Sequence, residues 1–181
     1  DEDFPLGATR SYPEMRDLVE VDTLASAFIW KYPHIRTAVL RPVNVLGYYV
    51  HSMIGEYLRQ RRVPTVMGFD PMLQFIHEED VSEAIALTLQ HGLQGVFNVV
   101  GPGAVPVSVA IREAGSTALP MPEQLMRPLI DRLFRWGVVP YPAGAMDYIK
   151  YPVTLSGKRF VDATGFRPLF GLEEIFHSVR R

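Results

Sequence analysis

Between Asp17 and Tyr32 the apolar residues Leu18, Val21, Leu24, Ala25, Phe28, Ile29 and Tyr32 recur at intervals of three and four. That spacing lays them on one face of an amphipathic helix, and Pro33 closes it. Thr37 to Leu40 is a short β-rich run, broken by Pro42 and closed by Gly47, which predicts a buried strand running into a loop. A helix followed directly by such a strand is half of a βαβ unit, the building block of a parallel sheet. Downstream, 51–62 reads as a helix, 63–68 as a short strand stopped by glycine, and 73–77 as a strand. Residues 78–92 read as a helix with Glu78, Glu79 and Asp80 in its first turn and Gly92 as its stop. GVFNVVG (95–101) is a further apolar strand, and 106–115 a helix with Ser108 near its start.

The region from Pro120 to Pro142 is less regular. Leu125, Met126, Leu129, Ile130, Leu133 and Phe134 form an apolar stripe on a helix that also carries Arg127, Asp131, Arg132 and Arg135. Such a stripe lies on the protein's own core or meets a partner or membrane surface, and the alternating apolar pairs favour the core. YPAGAMDYIKYP (141–152) reads as an aromatic loop with one helical turn, followed by a short helix from Ser156, GFRP and a closing helix at 171–180. No internal repeat or low-complexity linker divides the chain, so 1–181 is expected to form a single unit.

Composition narrows the function classes. At 181 residues, 48% hydrophobic and 21% charged, the chain is long enough for one domain with a core and too apolar to be disordered. The formal net charge is −2 and the one basic cluster, RQRR (59–62), reads as a solvated helix end rather than a nucleic-acid stripe. The absence of cysteine removes disulfides, thiolate zinc sites and a cysteine nucleophile, and fits a cytoplasmic setting. No apolar run reaches the roughly 18–20 residues of a membrane span. The chain begins with Asp1 rather than methionine, which suggests a piece of a longer protein.

The familiar catalytic signatures are missing. The five histidines (34, 51, 77, 91, 177) show no i, i+4 pairing, and HEEDV (77–81) lacks the second histidine of H-E-x-x-H, so no catalytic metal is expected. There is no G-x-S-x-G elbow, no P-loop and no G-x-G-x-x-G. GPG at 101–103 follows a strand but lacks the third glycine that lets a helix N-terminus take a pyrophosphate.

Four phrases in fixed order stand out: LRPVNVLG (40–47), MGFDPMLQFIHEEDVSEAIALTL (67–89), GVFNVVG (95–101) and GFRPLFGLEEIF (165–176). Together, over residues 14–180, they resemble the C-terminal half of the extended short-chain dehydrogenase/reductase family, the NAD(P)-dependent epimerase/dehydratase proteins. The resemblance implies an α/β fold: the C-terminal part of a Rossmann-like doubly wound parallel sheet plus a small α/β substrate-binding lobe. It implies a part in an NAD(P)-dependent epimerase, dehydratase or reductase acting on a sugar nucleotide or a hydroxy or keto small molecule. NAD or NADP would be held through an upstream half carrying the glycine-rich turn, and two copies would pair through the helix at 17–32. Pro42, Asn44 and Val45 would then lie beside the cofactor at the C-terminal edge of the sheet, with Asn44, Gln74 and His77 toward substrate. Gln74 stands where the resemblance implies an arginine facing a substrate diphosphate, which argues against a nucleotide sugar. Each polar residue also has a structural reading: Asn44 bonding its own turn, His77 packed at a strand end, Asn98 satisfying neighbouring backbone.

The family's chemistry rests on Tyr-x-x-x-Lys at the start of the helix before LRPxN, the tyrosine as general acid/base and the lysine lowering its pKa. Here that region is SYPEMRDLVEVD (11–22). Counting back from LRPVN at the family's usual length puts the lysine slot on Leu18, the tyrosine slot on Glu14 and a downstream acid on Asp22, so both reactive residues are absent. Sliding by two makes Tyr12 and Arg16 the candidate catalytic pair with Glu20 as the acid, at the cost of two extra residues before the strand. An arginine keeps the charge but not the compact ammonium. The first register is preferred. The alternative function is therefore a catalytically degenerate member that binds a metabolite or a protein.

Overall fold

Helix α1 (Pro13–Lys31) leads into strand β1 (Ala38–Pro42), the short β2 (Asn44–Leu46), helix α2 (Met53–Leu58), β3 (Arg62–Val66) and β4 (Met72–His77). Then come α3 (Glu78–Gln90), β5 (Gly95–Val99), β6 (Ala104–Pro106), α4 (Val107–Glu113), β7 (Thr117–Met121), α5 (Glu123–Arg135), α6 (Lys158–Thr164) and α7 (Leu172–His177). The computed structural model describes residues 1–3, 13–139, 143–144, 147, 150–152 and 154–180, without the side chains of 13–15.

Three parallel pairings organise the chain. β1 lies beside β5, from Ala38 opposite Gly95 to Pro42 opposite Val99. β2 lies beside β4, with Asn44 opposite Phe75 and Leu46 opposite His77, and β3 lies beside β7. β6 returns antiparallel on the other edge of β4. The mixed α/β fold with parallel strands is the one the pattern predicts. Helix α1 carries the apolar face predicted between Asp17 and Tyr32 and begins at Pro13, where a missing N–H costs nothing. The helix predicted at 51–62 shrinks to six residues because Ser52 caps it, accepting from the Gly55 N–H, and β3 takes over at Arg62.

Two apolar clusters fill the interior. The larger gathers Leu58, Val63, Phe75, Ile111, Met126, Ile130, Ile175 and Phe176 from several elements of the lobe. Phe75 and Phe176 meet edge to face at 5.1 Å. The smaller, Ile76, Ala84, Phe97, Val99, Phe160 and Phe166, lies beneath the β1–β5 pair. Where the chain leaves β5 it crosses β4 so closely that a Cβ on Gly101 would sit 1.9 Å from the Phe75 carbonyl oxygen. Only glycine permits that approach.

Candidate functional site

β1 and β2 are separated by Val43 alone, whose N–H still bonds the Val99 carbonyl at 3.1 Å. The chain thereby steps from one sheet to the next, and the C-terminal ends of β1 and β5 meet the start of β2. Ligands of doubly wound sheets bind at such an edge. Pro42, Asn44, Val45, Gln74 and His77 all lie on these strands or on β4 beside them. Arg16 does not join them: it is exposed on α1, 3.7 Å from Glu20 one turn on. Tyr12 lies outside the described residues.

The polar side chains of this group are largely committed to backbone. Asn44 Nδ2 donates to the Gln74 carbonyl at 2.9 Å, fastening β2 to β4 rather than closing its own turn. Gln74, 8% exposed, gives both ends of its amide to one residue: Nε2 donates to the Leu155 carbonyl at 3.1 Å, and Oε1 accepts the Leu155 N–H at 2.6 Å. Leu73 beside it is buried in the larger apolar cluster. Neither position presents a cation. Asn98, on β5, donates from Nδ2 to the Ser156 carbonyl at 3.2 Å. Two buried amides from two sheets thus hold consecutive residues of one strap, 155–156.

His77 ends β4 and caps α3, its Nδ1 accepting the Glu79 N–H at 3.3 Å. That acceptor role places the proton of the neutral ring on Nε2. Its ring stacks on Phe170 at 4.0 Å and is 2% exposed.

Three features escape the sequence reading. The first is the loop after β2, clamped from both sides. Glu78 accepts the N–H of Tyr48 at 2.9 Å and of Tyr49 at 3.3 Å, while Arg59 donates to the carbonyls of Gly47 and Val50. A Cβ on Gly47 would meet Glu78 Cδ at 2.2 Å, so a larger residue there would displace the Glu78 side chain from this clamp. Glu56 steadies Arg59 at 3.2 Å, and its carboxyl is held below the usual carboxylate value by the His51 hydrogen bond first, with Arg59 adding to the effect. Tyr48 and Tyr49 are left facing solvent on a fixed backbone.

The second feature is a two-pronged ion pair: Arg41 Nε and Nη2 donate to Asp22 Oδ1 and Oδ2 at 2.8 and 2.6 Å, both side chains less than one-fifth exposed. This fork is the strong form of a guanidinium–carboxylate contact and fixes α1 against β1. The third is a charge network on the lobe. Glu123 joins Lys150 at 2.9 Å and Arg127 at 2.9 Å, and Arg127 reaches Asp147 at 2.6 Å. Among the described residues no group of three or more ligating side chains would hold a metal, and no helix is long and apolar enough to cross a membrane.

No family model matches the chain. Uncharacterized proteins of Mycobacterium tuberculosis and Mycobacterium bovis are 32% identical to it over 107 residues, which is 59% of this chain and 28% of theirs. Solved structures align far more fully. RMD from Pseudomonas aeruginosa, complexed with NADPH, matches 92% of this chain and 54% of its own at 17% identity and a TM-score of 0.63. The dTDP-glucose 4,6-dehydratase of Bacillus anthracis, in complex with NAD, matches 99% and 54% at 15% identity and 0.67. The UDP-glucose 4-epimerase of Thermus thermophilus, in complex with NAD, matches 97% and 58% at 20% identity and 0.61. The chain spans about half the length of these structures and shares their fold over that half, as the four phrases predict.

Proposed function

We propose that this chain is the C-terminal, substrate-lobe half of an NAD(P)-dependent epimerase, dehydratase or reductase, completed by sequence outside these 181 residues. The observation that carries the reading is the likeness of nearly the whole chain to half of each dinucleotide-bound structure. The open side of the sheet supports it: among the described residues β1 pairs only with β5, so further strands would add at its other edge. Leu18, Val21 and Leu24 of α1 are exposed, as expected of a helix that pairs with a second copy or with the missing half.

The dinucleotide's phosphates have no seat on this chain, which lacks the glycine-rich turn. Its own contribution would be the edge formed by Pro42, Asn44 and Val45 and the clamped loop with Tyr48 and Tyr49. When bound, the nicotinamide would supply hydride transfer, and these residues would shape the wall against which substrate lies. The absence of a cation at either Leu73 or Gln74 favours a hydroxy or keto small molecule over a sugar nucleotide. Calorimetry on the full-length protein tests the reading, with micromolar binding of NAD(H) or NADP(H) expected. Binding of neither overturns it.

A second reading, a family member that binds but no longer turns over, is favoured by the Asp22–Arg41 fork. Asp22 is the acid of the register in which Leu18 and Glu14 fill the reactive slots, whereas Glu20, the acid of the Tyr12–Arg16 register, is exposed and meets only Arg16 and solvent among the described contacts. On this reading the full-length protein binds the dinucleotide without reducing or epimerising a ketone and sugar-nucleotide panel. Turnover abolished by Tyr12→Phe would exclude it.

A further inference from the structure

The apolar stripe of α5 does not stay in one piece. Met126 and Ile130 are buried and Leu133 is half-buried, while Leu125, Leu129 and Trp136 are 61%, 42% and 65% exposed. At about 100° per residue, Leu125, Leu129 and Trp136 fall within about 40° of one another and about 90° away from the core-facing line. They make a second apolar stripe that the lobe does not cover. Val138, just past the left-handed Gly137, is also exposed.

The charges beside this stripe are of one sign. Arg132 and Arg135 flank it, and the helical wheel from Gln124 round to Leu129 carries no carboxylate. Glu123 lies on the far side, bound to Lys150 and Arg127, and Asp131 lies at the border. The Arg132 guanidinium sits over the Trp136 ring at 5.1 Å, which puts a cation and an indole at one level. Exposed Leu and Trp beside unopposed arginines form the surface of an interfacial helix.

We propose that this outward face of α5, with Leu125, Leu129, Trp136, Arg132 and Arg135, docks peripherally on an anionic phospholipid surface. A second copy of the chain is a poorer occupant, because a two-fold contact across this face would set arginines against arginines with no carboxylate between them. The missing half of the fold is a poorer one too. α5 packs on β3 of the β3–β7 pair, outside the β1–β5 sheet to which further strands would add. The proposal does not depend on the dinucleotide reading.

The test is co-sedimentation of the full-length protein with mixed phosphatidylglycerol–phosphatidylcholine vesicles and with phosphatidylcholine alone. Binding is expected only to the anionic vesicles and weakens with salt. Each arginine near such a surface is worth about a fivefold change in partitioning, so Arg132→Gln with Arg135→Gln lowers it about 25-fold. Leu129→Asp with Trp136→Asp abolishes it. All four side chains are exposed, and circular dichroism checks that each variant is folded. Equal binding to both vesicle types, no binding, or undiminished binding by the double arginine variant overturns the proposal. So does a dimer broken by Trp136→Asp in a protein that ignores vesicles.

Discussion

The cluster around Leu58, Phe75 and Phe176 is walled by helices and strands on every side, whereas α1 and β1 stand at a border. In the first region the apolar periodicity of the sequence becomes burial: Phe75, Ile175 and Met126 are fully enclosed. In the second the same kind of periodicity produces a helix whose Leu18, Val21 and Leu24 are 63%, 64% and 71% exposed. The pattern forms the helix in both cases, but a face is buried only where the chain itself supplies the opposing surface. On the proposed reading, a further half of the fold would add on the α1 and β1 side.

That contrast can be broken most directly by a pair of substitutions. Phe176→Ala empties a closed site and is expected to cost about 3–5 kcal/mol in urea unfolding. Leu24→Ala removes comparable apolar surface from α1 and is expected to stay within about 0.5 kcal/mol in this chain. Similar costs would mean that α1 is buried after all. A smaller effect tests how the two regions are joined. Gln74→Ala strips both partners from the Leu155 backbone, which is expected to cost about 1–3 kcal/mol and to speed hydrogen exchange at the Leu155 amide. Unchanged exchange there would show that the strap is held by packing instead.

The smallest expected effect concerns pH and belongs to the lobe surface. Lys150 foremost, then Arg127, holds the Glu123 carboxyl below its usual 4.5. A carboxylate whose folded pKa is depressed stabilises while it is ionised. Its contribution is therefore full above pH 4.5 and is lost as the pH falls through the lowered value. Proteolytic nicking near Lys150 should rise over that acidic window, and Glu123→Gln should remove the step. The partners on the basic side, raised in Lys150 and Arg127, lose their contribution only far above neutrality.

Much of this architecture was legible in the sequence where the signal is local. The acids at 78–80 and the glycine at 92 bracket α3 within two residues of its observed end, and LQFIH names all but the first residue of β4. β2, β6 and β7 were not legible. Asn44–Leu46 and Ala104–Pro106 are three residues each, and TALPM contains a proline. Such segments are strands only because β4 and β3 offer them a ladder. The placement of the polar residues was legible to a similar degree. The order of phrases brought Pro42, Asn44, Gln74 and His77 to one edge, and Asn98 does satisfy neighbouring backbone. What Gln74 does is set by a partner 81 residues away, and Asp22 acquires its meaning only when Arg41 is placed opposite. The division of the α5 stripe was hidden for the same reason, since periodicity reports a face but not what lies across from it.

The crossing at Gly101 has a consequence for tracing this protein among divergent sequences. A methyl group there would collide with a carbonyl of β4, and no rotamer change can relieve a clash between two backbones. Any chain that retains this passage must therefore keep a residue without a side chain at that point, however far the rest has drifted. A glycine a few positions after the strand that follows a HEED-like turn is thus a fiducial mark for aligning relatives too distant for the four phrases to survive.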